Sequence, residues 1–167
     1  MIDKQANKQL SKALKCKERK PGWWARRSRK KLINDILEAY IENELYVDQR
    51  YQRKLVWDLQ ENQLFIDSLL NKYPVPSIIL SEYEVENAGE IDDNYEIIDG
   101  LQRLNAIALF MQGKFPIEYN GEFMYYDLHY CPGAENLIAN QQSHQEKTVL
   151  PFDVCNDLRY AQIPVVV

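Results

Sequence analysis

The chain has 167 residues, 46% hydrophobic and 27% charged, which excludes an intrinsically disordered polymer; no apolar run approaches the roughly 18 residues that a membrane-spanning helix needs. A fold of this length buries roughly 70% of the surface its unfolded chain would expose, so a single core needs no metal or disulfide staple. The net charge of −5 averages two unlike parts: residues 1–31 carry 12 Lys+Arg against 2 Asp+Glu (+10), and residues 32–167 carry 8 against 23 (−15).

Residues 1–31 read as a basic arm, with a weak helical stripe (Ile2, Ala6, Leu10, Ala13, Leu14) that ends at Pro21-Gly22. Residues 32–167 form the acidic body. From Ser28 to Leu45 the apolar residues Leu32, Ile33, Ile36, Leu37, Tyr40, Ile41 and Leu45 recur at i, i+4, i+8 spacing and predict one buried helix face. Tyr46 to Asp48 reads as extended. Asp58-Leu59-Gln60-Glu61 matches a capping box, in which two end groups satisfy each other; it opens a helix through about Asn71 with Leu64, Phe65, Ser68 and Leu69 inward. Tyr73-Pro74-Val75-Pro76 stops that helix.

Ser77 to Leu80 predicts a strand, the polar stretch Glu86 to Asn94 a solvent loop, and Tyr95-Glu96-Ile97-Ile98 a second strand that runs into Asp99-Gly100. Leu101, Leu104, Ile107, Ala108 and Met111 then give helical spacing up to a stop at Gly113. Asn120-Gly121, between Phe115–Glu118 and Glu122–Tyr126, predicts a type I′ β-hairpin, because both turn positions must accept positive φ. Residues 127–148 read as a long loop with a short helix, Asp153 to Tyr160 as a helix, and Ile163 to Val167 as a buried strand. No internal repeat is visible.

Cys16, Cys131 and Cys155 are odd in number and lack a C-x-x-C pair, which predicts a reduced, cytoplasmic chain without a disulfide framework. His129-x-Cys131 with Cys155 or His144 matches no zinc-ligand spacing, so these read as core or surface residues.

The most informative segment is Ile98-Asp99-Gly100-Leu101-Gln102-Arg103, where a strand becomes a helix. A helix N-terminus presents unpaired N–H groups and partial positive charge, so phosphate binds there readily, and glycine admits a ligand close to the backbone. Arg103 adds a guanidinium fork for phosphate oxygens, Asp99 could hold Mg²⁺, and Gln102, with a donor and an acceptor, could orient water. On the residues alone the turn reads first as an ordinary strand-to-helix turn with an exposed Gln and Arg, because a lone glycine turn is a weak signal.

A second segment, Asp48 to Trp57, joins the first strand to the next helix. Tyr51-Gln52-Arg53 with Trp57, Asp67-Ser68, the proline-bearing Pro74 to Leu80, and Asp99-Gly100-Leu101-Gln102-Arg103 occur in this order. Together they resemble the N-terminal domain of GmrSD-type restriction endonucleases, over about residues 46–113. The terminal Ile163 to Val167 looks like the strand that closes the related ParB/sulfiredoxin-like fold. The resemblance therefore implies an α+β fold, a small mixed sheet flanked by helices with a β-hairpin insertion.

The resemblance also implies nucleoside triphosphate binding, and Mg²⁺-dependent hydrolysis, that regulates a modification-dependent restriction or phage-defence system. By position the cofactor-binding roles fall on Gln52, Arg53, Asp99, Gly100, Gln102, Arg103 and Asn105. The catalytic roles fall on Asp99, Gln102 and Arg103, with Asp99 as the Mg²⁺ ligand. Leu101 departs from the family's Asp-Gly-Gln-Gln-Arg pattern, and Asn105-Ala106 replaces its Thr-Thr. Leucine makes no hydrogen bond, so either a polar role is lost and turnover weakens, or Leu101 packs inward while Asn105 supplies a polar group one turn later.

The basic residues from Lys4 to Lys31 surround Trp23-Trp24, a mixture suited to phosphate neutralisation with aromatic contacts, so DNA is the expected partner of the arm. The alternative is a solvated arm whose tryptophans dock on protein. No nuclease residues are found, so cutting is expected from a downstream domain or another subunit. Two other functions fit the same residues: a DNA-binding adaptor with a degenerate nucleotide site, and a structural or assembly domain.

Overall fold

The computed structural model describes residues 30–41, 44–47, 55–87, 90–130 and 147–167. The N-terminal stripe, Trp23-Trp24, Cys16, the Tyr51-Gln52-Arg53 block, Cys131 and His144 lie outside the described residues. The helices are α1 (Ile33–Ile41), α2 (Leu59–Leu70), α3 (Leu101–Met111) and α4 (Phe152–Tyr160). The strands are β1 (Lys30–Leu32), β2 (Leu45–Tyr46), β3 (Ile78–Asn87), β4 (Glu90–Asp99), β5 (Ile117–Tyr119), β6 (Glu122–Met124) and β7 (Gln162–Val166).

One mixed sheet has the order β1-β7-β3-β4-β2, and β5-β6 form a separate hairpin. The architecture is thus the mixed α+β arrangement expected. In the main sheet β7 is antiparallel to β1 but parallel to β3, and β4 is antiparallel to β3 but parallel to β2. Ile78, Leu80, Tyr95, Ile97, Ile163 and Val165 are buried on one face, whereas Ile79, Ile98 and Val166 are exposed. This period-two alternation leaves one face of the sheet in the core and the other open. The core is completed by Ile33, Ile36, Leu37, Phe65, Ile66, Leu104, Ile107 and Phe110, and the Phe110 ring meets Phe115 at 5.4 Å and Tyr126 at 5.9 Å.

The first helix is shorter than its apolar spacing predicts. Lys30 to Leu32 pairs with Gln162 to Pro164, and the Ile33 N–H donates to Ala161 O at 2.8 Å, so the backbone before α1 belongs to the sheet. At the other end Leu45 is buried from β2, beside Tyr95. Strand residues Leu32 and Leu45 therefore extended a periodicity that Ile33, Ile36, Leu37, Tyr40 and Ile41 carry as helix.

At α2 the capping box is present. Asp58 Oδ1 accepts from the Glu61 N–H at 2.9 Å, and Glu61 Oε2 accepts from the Asp58 N–H at 2.9 Å. The inward face consists of Asn62, Phe65, Ile66 and Leu69, while Leu64 is 59% exposed and Ser68 half-buried. The expected face was rotated by one residue because Asn62, a polar residue, occupies an inward position. Its amide donates to Asp58 O at 2.7 Å.

The expected loop at Glu86 to Asn94 is instead largely strand. The β3–β4 ladder continues to the pair Asn87↔Glu90, because an antiparallel ladder satisfies backbone groups whatever the polarity of the side chains. The helix stop at Gly113 is a Schellman motif: its N–H donates to Phe110 O (2.8 Å) and the Lys114 N–H to Leu109 O (3.0 Å). Asn120 and Gly121 have φ of +53° and +83°, as the type I′ turn requires. Within residues 127–148 a 3₁₀ turn spans Leu128–Tyr130. Among the described residues no helix is long and apolar enough to cross a membrane.

Candidate functional site: the turn between β4 and α3

The junction of β4 with α3 begins with a register shift. Leu80 pairs with Ile97 but Ile79 pairs with Asp99, so Ile98 is an extra residue in β4. Regular alternation would turn Asp99 to the buried side after exposed Ile98. The bulge leaves both exposed, with the Asp99 side chain at 62%.

Gly100 follows with φ +113°, a conformation that side-chain-bearing residues rarely adopt. A Cβ at this position would lie 2.9 Å from Ile78 Cγ1 and 3.2 Å from Ile78 Cα. The missing side chain is therefore used by β3: glycine here permits close strand–helix packing. The first helical bond runs from the Leu104 N–H to Gly100 O at 3.0 Å, and no side chain caps the helix. Such an end carries partial positive charge.

Arg103 is buried in the first turn of α3. Its Nη2 donates to Asp99 Oδ2 at 2.7 Å and to Ser77 O at 3.0 Å, tying the helix to the end of β4 and the approach to β3. Its Nε–H is buried without an acceptor. An unsatisfied buried donor costs about 1–3 kcal/mol, more for a charged group. Asp99 Oδ1 has no hydrogen-bond partner among the described residues.

Gln102 connects the turn to the chain that follows the Tyr51-Gln52-Arg53 block. Its Oε1 accepts from the Val56 N–H at 3.2 Å and the Trp57 N–H at 3.3 Å. The Trp57 ring meets Phe65 edge-on at 5.5 Å. Leu101 is half-buried against the core, and Asn105 is buried with Oδ1 lacking a partner. The structure thus gathers Asp99, Gly100, Gln102, Arg103 and Asn105 on one turn and the helix it opens. Gln52 and Arg53 lie outside the described residues.

Neither Ser77 O nor Ile78 was singled out from sequence. A backbone acceptor has no sequence signal, whereas the Asp99–Arg103 pair was available from its i, i+4 spacing. Elsewhere, His129 Nδ1 lies 2.8 Å from Asp127 Oδ1, and buried Cys155 is 3.8 Å from Leu150 O. Among the described residues no three His, Cys, Asp or Glu side chains are grouped to hold a metal ion.

Fold and site define a half-open α+β module whose bulged strand delivers an Asp-Gly turn and a buried arginine to a helix N-terminus. The family model for the GmrSD restriction endonuclease N-terminal domain matches residues 30–160, and the chain belongs to this family. It is accordingly a module of a restriction, phage-defence system. Comparison with curated proteins gives no match, and neither does comparison with solved structures.

Proposed function

We propose that the module binds a nucleoside triphosphate with Mg²⁺ at the N-terminus of α3 and thereby regulates the nuclease of its restriction system. The observation that carries this reading is Arg103: a buried guanidinium, fixed through Nη2 and retaining an unsatisfied Nε–H, at an uncapped helix N-terminus. Phosphate oxygens supply the acceptor that Nε lacks, and they complement the helix end. Asp99 accepts the arginine through Oδ2 and offers Oδ1 to the cation, in keeping with the preference of Mg²⁺ for few carboxylates plus substrate oxygens. Leucine at position 101, half-buried against the core, supports binding with slow turnover. The cleaving residues are assigned to another domain or subunit, and DNA contact to the basic arm, whose charge opposes that of the acidic body.

A thermal-shift and phosphate-release panel with the common nucleoside triphosphates, with and without Mg²⁺, tests the reading. At about 100 times Kd a ligand stabilises the fold by roughly 2.7 kcal/mol, a Tm rise of about 5–11 °C for a chain of this size. Arg103→Gln keeps hydrogen-bonding capacity but removes the charge, and should abolish the rise while remaining folded by circular dichroism. Unchanged nucleotide stabilisation in this variant would overturn the assignment.

A further inference from the structure

An amide oxygen has two lone pairs, and Gln102 Oε1 already accepts two backbone N–H groups, from Val56 and Trp57. It therefore has no lone pair left to hold an attacking water in this conformation. We infer that Gln102 is a positioning residue, a latch that seats the Val56-Trp57 peptide beside the first turn of α3 and makes the placement of that peptide sensitive to nucleotide. This deepens, and rests on, the nucleotide-binding reading.

Three contacts converge on this short segment. Gln102 holds its two N–H groups, Phe65 meets the Trp57 ring, and the reciprocal Asp58–Glu61 bonds fix the residue after it. The ring contact and the capping box belong wholly to the α2 side. Gln102 alone among the three reaches across 45 and 46 residues of sequence to the motif turn. The N···O distances of 3.2 and 3.3 Å exceed the usual 2.9–3.0 Å, as expected of one oxygen shared by two donors. Shared bonds are weak individually and can be made or released at modest cost.

Phosphate bound at the α3 N-terminus would restrain the same first turn that carries Gln102, and would tighten its hold on Val56 and Trp57. By linkage, a seated peptide would favour the nucleotide equally.

Amide hydrogen exchange on the full chain tests this, with Gln102→Met as the variant that keeps length but removes the acceptor, and Gln102→Glu as the one that keeps it. In the wild type, Mg²⁺ with a saturating nucleoside triphosphate should slow exchange at the Val56 and Trp57 amides about fivefold further. Gln102→Met should raise exchange at both amides about fivefold and abolish the nucleotide-dependent slowing; Gln102→Glu should restore basal protection. Unchanged exchange in Gln102→Met overturns the latch. Nucleotide-dependent slowing that survives in Gln102→Met overturns the coupling. A wild-type chain that binds no nucleotide overturns the coupling together with the reading beneath it, while basal exchange still decides the latch.

Discussion

Replacing Gly100 by alanine separates two costs that the site imposes on one backbone position. The first is conformational: at φ +113° a Cβ-bearing residue is strained by about 1–2 kcal/mol. The second is steric, because the new Cβ would lie 2.9 and 3.1 Å from the Ile78 Cγ atoms and 3.2 Å from its Cα, which the backbone cannot easily yield. Overpacking of this kind costs about 1–3 kcal/mol more. Gly121 supplies the control: it has φ +83°, but a Cβ there would meet nothing within 4 Å. Gly100→Ala should therefore lose about 2–5 kcal/mol and Gly121→Ala about 1–2 kcal/mol. In melting temperature these correspond to roughly 4–20 °C and 2–8 °C. Urea titrations followed by circular dichroism, with a shared m-value, measure both. Equal losses within about 0.5 kcal/mol would refute the claim that Ile78 is what demands glycine at the turn.

Two further outcomes follow from the α2 capping box and from a buried phenol. Asp58→Ala removes the acceptor of the Glu61 N–H and half of the capping box, and should lower stability by about 1 kcal/mol in urea unfolding. Burial pushes the Tyr40 phenol up to about 12 from an ordinary value of 10.0. Because the folded-state value is the higher, the stabilisation it gives is complete below pH 10 and is lost as pH rises toward 12. Ultraviolet difference titration should show the Tyr40 phenol ionising late, and Tyr40→Phe should remove that late step and flatten the alkaline loss of stability.

Local chemistry was the part of the fold most legible in the sequence. The Asp58 capping box, the Asn120-Gly121 turn, the Gly113 stop and the strand-glycine-helix order at Asp99 each depend on neighbouring residues, and each is present. Tertiary choices were less legible. Leu32 and Leu45 matched a helical stripe although they are supplied from strands, since a core accepts an apolar side chain from either element. Asn62 lies inward on α2 with its own backbone partner, which displaced the apparent apolar face. At the site, residue identity located the turn but did not show how its groups are engaged. The bulge at Ile98, the Ser77 carbonyl beneath Arg103 and the two N–H groups on Gln102 are all backbone features, and side-chain pattern is silent about them.

The place of β7 in the sheet bears on how the molecule is made. It lies between β1 and β3, so the described strand nearest the N-terminus obtains its sheet neighbour only from residues 162–164. During synthesis β3 and β4 can pair as soon as both have left the ribosome, but β1 must wait until more than 125 further residues have emerged, as the span from Leu32 to Gln162 shows. Pairing across so long a loop is entropically slow and leaves one side of β3 unpaired in the nascent chain. That exposed strand is where chaperone engagement or aberrant sheet addition would compete with completion of the fold.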